Sequence, residues 1–255
     1  MTGRRLRNVL ATGLVVTVAL GLAWASAIAK SKTPLDGRQV RKAECTLGDL
    51  VADAARARMK AEVALIQAGQ LREQVIPAGD LTEEQLRSVL LDPDQKIVLV
   101  EIRGDKLEAA LERGLSALPQ PSIGFLQVSG VQVRFRSQSQ PNHRIESIQE
   151  GEELRPAVTI GGKPLDTQRT YRAAMPANLA NGALGYFRIF DGLKVKETGP
   201  EMAQVVCDYV QGSGVVNLVA GDRLRDLSPP PANAAAAPGA AAGAAPQHRG
   251  APTAE

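Results

Sequence analysis

Residues 177–186 read ANLANGALGY. Such an Asn- and Gly-rich stretch forms a tight turn of the kind that lines a ligand pocket. Yet no aromatic ring precedes Leu179 and no acid precedes Gly185. Elsewhere, side chains that could do chemistry are few. His143 follows Pro141-Asn142 in a turn and His248 lies near the C-terminus, and neither has carboxylates or thiols at metal-ligand spacing. Ser129-Gly130 lacks the G-x-S-x-G pattern of a nucleophile elbow. Glu44, Asp49 and Asp53 fall at the start of an expected helix, where acids are stabilised in any case, so they carry no catalytic expectation. Arg41 and Arg72 could hold an anion through charge-assisted hydrogen bonds. Arg72 reads equally well as a loop arginine bonding backbone carbonyls, and Arg41 reads better as a solvated charge ahead of a helix.

The ends of the 255-residue chain differ from its middle. Arg4, Arg5 and Arg7 precede an uncharged run of 21 residues, Val9 to Ala29, that ends in small residues suited to signal peptidase. Residues 1–29 are expected to be a secretory signal cleaved after Ala27 or Ala29. An uncleaved anchor is the alternative, since ~20 apolar residues span a bilayer. Either way the rest is expected outside the cytoplasm, periplasmic or extracellular. The net charge of +3 comes from 30 basic and 27 acidic residues. The three leader arginines account for it, leaving 27 of each sign, so the charge gives no reason to expect nucleic acid. Residues 228–255 are Ala, Pro and Gly with little charge and no large apolar group. They cannot offset the entropy of ordering and are expected to be disordered. The folded domain is expected over residues 36–227. In an exported chain Cys45 and Cys207 could pair, or stay as two separate buried thiols.

Between these ends the pattern mixes helices and strands. Thr46, with Asp49 three residues on, suggests a capped helix carrying Leu47, Leu50, Val51 and Ala54 on one face. VALIQAG (63–69) and KIVLVEIRG (96–104) read as strands. Leu81 to Leu91, with Thr82 as cap, and Asp105 to Leu115 read as helices. FLQVSGVQVRFR (125–136) alternates as β. RIESIQEG (144–151), RPAVTIGGKPL (155–165) and YRAAMP (171–176) follow as strands, with Gly161-Gly162 a hairpin turn. YFRIF and KVKE suggest a last hairpin, and Pro200 to Gln211 a final helix. Much antiparallel pairing among these elements makes the fold class α+β.

Several short motifs in order resemble the C-terminal domain of the 5'-nucleotidases. Arg41-Lys42-Ala43-Glu44-Cys45, Leu47-Gly48-Asp49-Leu50 and Asp53-Ala54 resemble its opening helix, where the family has Glu, a Gly-Asn pair and Asp-Ala. Ala68-Gly69-Gln70-Leu71-Arg72 and Gly79-Asp80-Leu81-Thr82 resemble its Asn-Gly-Gly-Ile-Arg loop and Gly-Asp-Ile-Thr turn. Gln127-Val128-Ser129-Gly130, Gly162-x-Pro164-Leu165-Asp166 and Tyr171-Arg172 match family motifs. Asn178-Leu179-Ala180-Asn181-Gly182 with Gly185-Tyr186 is similar to its Leu-Ala-x-Gly-Gly-Asp-Gly-Tyr turn. The resemblance covers roughly residues 40–212.

It implies a layered α/β/β/α domain that clamps a nucleoside while a separate two-metal domain hydrolyses the phosphate. The His, Asp and Asn motifs of such a metal domain are missing from this sequence. The family's two base-sandwiching rings map to Pro93 and Asn178. Its ribose-gripping Asp maps to Leu184, and the Asn of its loop to Gln67. Gly69, Gly182 and Gly185 keep the turns; Arg41 and Arg72 keep two cations. Stacking contributes ~1–3 kcal/mol per base, so these replacements predict weak nucleoside binding and a preference for a small anionic or sugar-like ligand. Three readings follow: a domain that is not an enzyme on its own and binds a small anion or a protein partner; the substrate-binding half of a split nucleotidase whose metallophosphatase is a separate chain; and an envelope protein with no ligand. No cofactor or bound metal is expected, and membrane contact only if the leader stays uncleaved.

Overall fold

The computed structural model describes residues 26–150 and 153–229. Most of the expected leader and nearly all of the expected tail lie outside the described residues. In chain order the elements are β1 (Ala27–Ser31), β2 (Leu35–Asp36), α1 (Thr46–Arg58), β3 (Val63–Gln67), β4 (Val75–Ile76), β5 (Gly79–Thr82), α2 (Glu83–Ser88), β6 (Lys96–Arg103), α3 (Gly104–Leu115), β7 (Leu126–Ser129) and β8 (Val131–Phe135). Then come β9 (Ile148–Glu150), β10 (Glu153–Arg155), β11 (Val158–Ile160), β12 (Lys163–Pro164), β13 (Thr170–Pro176), α4 (Ala177–Ala180), α5 (Phe187–Phe190), β14 (Val195–Glu201), α6 (Met202–Ser213), β15 (Val215–Val216) and β16 (Leu224–Asp226).

Every residue of β3 is buried, which explains why its sequence runs apolar instead of alternating. It lies inside a five-stranded sheet ordered β14-β6-β13-β3-β7. β13 runs parallel to β3 and antiparallel to β6, and β3 is antiparallel to β7. Neighbouring residues of β7 point to opposite faces, and they meet different helices. A Cβ on Gly48 of α1 would strike the Gln127 side chain, while one on Gly114 of α3 would sit 3.1 Å from Leu126 Cγ. The sheet is therefore sandwiched between α1 and α3. Beyond α3, Leu111 and Leu115 approach Val133 and Leu224 of a second sheet ordered β12-β11-β8-β16. The result is the layered α+β domain that the sequence implies.

Gly130 turns β7 into β8 with φ 76°; a Cβ there would lie 2.1 Å from the Glu62 carbonyl oxygen. Only glycine accepts both the left-handed backbone and that approach.

Three expectations need correction, and the open choice between paired and separate cysteines is decided for separate thiols. The cap of α1 is Cys45, whose Sγ accepts from the Gly48 N–H at 3.3 Å. Thr46 is the first helical residue, and its hydroxyl donates to the Pro34 carbonyl and accepts from the Asp36 N–H, both at 2.8 Å. The cysteines stay free; one sits at the start of α1 and the other on α6. Phe187–Phe190 is a short helix, and Val195–Glu201 pairs with β6, so no last hairpin forms. The domain also begins before residue 36. β1 pairs with β5 through Ala29↔Leu81, Lys30↔Asp80 and Ser31↔Gly79, and both expected cleavage points fall within this strand. By contrast Thr82 caps α2 with a complete capping box, its hydroxyl accepting from Gln85 N and Gln85 Oε1 from Thr82 N. No helix among the described residues is long and apolar enough to cross a membrane.

Candidate functional site

The strand directions gather the residues of interest. β3 and β13 end, and β6 and β7 begin, at the same end of the five-stranded sheet. Gln67 closes β3, Asn178 follows β13, Pro93 precedes β6, and Ile123 precedes β7. Gln67 is 1% exposed, and its Nε2 donates to Asn178 Oδ1 at 2.7 Å. Its Oε1 is buried and has no hydrogen-bond partner among the described residues.

The loop after β3 is drawn under the next turn. Ala68 N donates to the Phe125 carbonyl and Gly69 N to the Ile123 carbonyl, both at 2.8 Å. A Cβ at Gly69 would stand 3.2 Å from that Ile123 oxygen and 3.4 Å from Leu184 Cδ1, so Leu184 closes over the loop. The ANLANGALGY turn itself is forced by its glycines. Gly182 has φ 86° and would strike the Phe187 backbone with any Cβ; Gly185, also φ 86°, would meet Arg113 Nη2 at 2.6 Å. Leu184 has φ 58°, a conformation leucine rarely adopts. Arg113 holds it there. Its Nη2 donates to the Leu184 carbonyl at 2.9 Å and Nη1 to Ser116 Oγ at 2.8 Å, and its guanidinium lies 5.7 Å from the Tyr186 ring centre. Tyr186 is buried and donates to the Gly124 carbonyl at 2.7 Å. Nothing in the spacing of Arg113 marks it for this role.

The remaining expected site residues make no hydrogen bond to Gln67 or Asn178 among the described residues. Pro93 is half-buried and its carbonyl accepts from Ala203 N at 2.9 Å, which ties it to the start of α6. Arg72 is exposed; its backbone N–H bonds the Val89 carbonyl, and its guanidinium makes no hydrogen bond or ion pair among the described residues. Arg41 Nε lies 3.7 Å from Glu73 Oε1, and the Arg41 carbonyl accepts from Ser122 N. The charge of Arg41 is thus partly answered by Glu73, which leaves Arg72 as the unpaired cation of the two.

A second polar cluster lies under α1. Glu44 accepts three backbone N–H groups, from Gly221, Arg223 and Leu224, each at 2.8 Å. Arg223 grips Asp53 with both terminal nitrogens, at 3.0 and 2.8 Å, and bonds the Val128 carbonyl. Asp49 is fully buried, 3.3 Å from Arg223 Nε. Burial pushes its carboxyl up to about 8; Arg223 opposes this, and the nearby Glu44 and Asp53 charges add to it. At neutral pH Asp49 therefore holds a proton, and neither of its carboxyl oxygens has a hydrogen-bond partner among the described residues. Cys45 beside it is pushed up to about 12 by burial, so its thiol stays protonated and unreactive. No three His, Cys, Asp or Glu residues gather as a metal site among the described residues.

Comparison with known proteins fits this geometry. Residues 27–192 match the family model of the "5'-nucleotidase, C-terminal domain". The chain is 27% identical to the mouse 5'-nucleotidase over 206 residues, covering 75% of this chain and 35% of that protein. It is 29% identical to the Vibrio cholerae 5'-nucleotidase over 194 residues, covering 75% and 32%. The solved 5'-nucleotidase precursor from Thermus thermophilus superposes with a TM-score of 0.69 at 27% identity, covering 80% of this chain and 40% of that one. The chain thus spans about a third of the length of the relatives it matches. It belongs to the 5'-nucleotidase C-terminal domain family.

Proposed function

We propose that this is an exported binding domain that holds a small anionic ligand at the end of its five-stranded sheet and does not hydrolyse nucleotides on its own. The observation that carries this is the Gln67–Asn178 hydrogen bond. It joins two side chains that stand where the family resemblance has an Asn and a stacking ring. With Leu184 in place of the ribose-gripping acid, both base and sugar lose their partners. Losing the rings alone removes ~1–3 kcal/mol per stacking contact. The unpaired guanidinium of Arg72 remains as an anion donor. The basic residues and uncharged run ahead of β1 support export.

A second reading rests on the relatives, which are 5'-nucleotidases: a metallophosphatase supplied by another chain would dock here and use the domain to seat its substrate. A thermal-shift panel of nucleotides, sugar phosphates and simple anions separates these outcomes. Stabilisation by anions but not by nucleosides is expected. Stabilisation by adenosine and AMP alike would overturn the primary reading.

A further inference from the structure

The cavity that opens beside the second polar cluster lies outside the proposed sheet-end site. It measures about 400 Å³ and is lined by α1, the β7–β8 junction, the β11–β12 turn and the chain before β16. Arg56 is its distinctive group. A Cβ on Gly130 would lie 2.9 Å from Arg56 Cδ, so the arginine stem passes close over the glycine. Arg56 Nε donates to Ser129 Oγ at 2.7 Å, which fixes the guanidinium. Its terminal nitrogens make no hydrogen bond or ion pair among the described residues.

The other charges in the lining are accounted for. Asp53 Oδ1 accepts from Arg223 Nη1 and from Ser129 Oγ, and Asp53 Oδ2 from Arg223 Nη2. Arg223 is thereby committed to Asp53, and Arg56 is the lining's unpaired cation. Asp222 is exposed and is the unpaired carboxylate. The lining's two cations and two carboxylates cancel, so Arg56 offers one unanswered positive charge, which a single carboxylate matches and a doubly charged anion exceeds. The turn wall adds donors. Gly161 (φ 56°) and Gly162 (φ 78°) have nothing within 4 Å of where a Cβ would stand, and neither N–H is hydrogen-bonded among the described residues.

We propose that this cavity is a second ligand site, taking a small molecule with a single carboxylate, which the free end of Arg56 receives with the Gly161 and Gly162 N–H groups as further donors. An arginine already held by Nε loses little freedom on binding, and its planar end matches a carboxylate.

The test is an NMR titration of the isotope-labelled full chain with acetate and, separately, inorganic phosphate at pH 8, where phosphate is doubly charged. Saturable acetate shifts are expected at the Gly130, Gly161 and Gly162 amides, with phosphate weaker there. Arg56→Gln should weaken the acetate effect at least tenfold. Absence of saturable acetate shifts at these glycines in the native chain overturns the proposal, whether or not the variant folds. Equal acetate binding by folded Arg56→Gln also overturns it, and tighter phosphate binding at these amides overturns the single-carboxylate class.

Discussion

Replacing Asp49 by asparagine tests the buried cluster through its proton. In the folded chain the carboxyl is pushed from 3.8 to about 8, with burial the largest cause. The folded state therefore holds a proton that the unfolded state releases near pH 4. Stability from this group is full below that point and falls as pH rises toward 8, then levels off. The slope is about 1.4 kcal/mol per pH unit, so the native chain should lose about 3 kcal/mol between pH 5 and pH 7 from Asp49 alone. An asparagine side chain would fill the same buried space without titrating. Chemical denaturation of both proteins at half-unit pH steps is the assay. The Asp49→Asn variant should gain on the native protein by about 3 kcal/mol across that window. Two parallel stability curves from pH 5 to pH 8 would show that Asp49 is ionised against Arg223 throughout, and would refute the reasoning.

Tyr186→Phe removes the hydroxyl that bonds the buried Gly124 carbonyl at 2.7 Å; a loss of about 1 kcal/mol is expected in urea denaturation, and an unchanged midpoint would count against the turn's dependence on it. Because β1 pairs through Ala29, Lys30 and Ser31, N-terminal sequencing of exported protein should find a start no later than Ile28, or the leader retained; a start at Lys30 in a stably folded product would contradict the role of β1. Residues 26–255 with added divalent metals should release no phosphate from AMP in a colorimetric assay, whereas metal-dependent release abolished by a point substitution within this chain would overturn the non-catalytic reading.

The parts of the fold that are legible in sequence are those decided locally. The apolar run of β3, the Thr82–Gln85 capping box and the Gly161-Gly162 turn each depend on a few neighbouring residues, and each stands where its pattern puts it. The cap of α1 is harder to place, because Thr and Cys both precede the helical face and cysteine's weak acceptor carries little capping signal. Phe187–Phe190 reads as a strand because four residues give too little periodicity to tell a helix turn from β. The Arg223–Asp53 pair is invisible for another reason, since the two are 170 residues apart and only the assembled sheets bring them together. At the candidate site, the family motifs locate Gln67, Asn178 and Leu184, but not their mutual contacts. That Arg41 faces Glu73, and that Arg113 holds the Leu184 carbonyl, depend on packing between loops that no spacing encodes.

The proposed sheet-end site takes a small anion in preference to a nucleoside. Isothermal titration of the native chain and Arg72→Ala, each with inorganic phosphate and with adenosine, tests it most directly. Phosphate should bind the native chain, weaken by more than tenfold in the variant, and outcompete any adenosine signal. Micromolar adenosine binding that Arg72→Ala leaves unchanged would contradict the account.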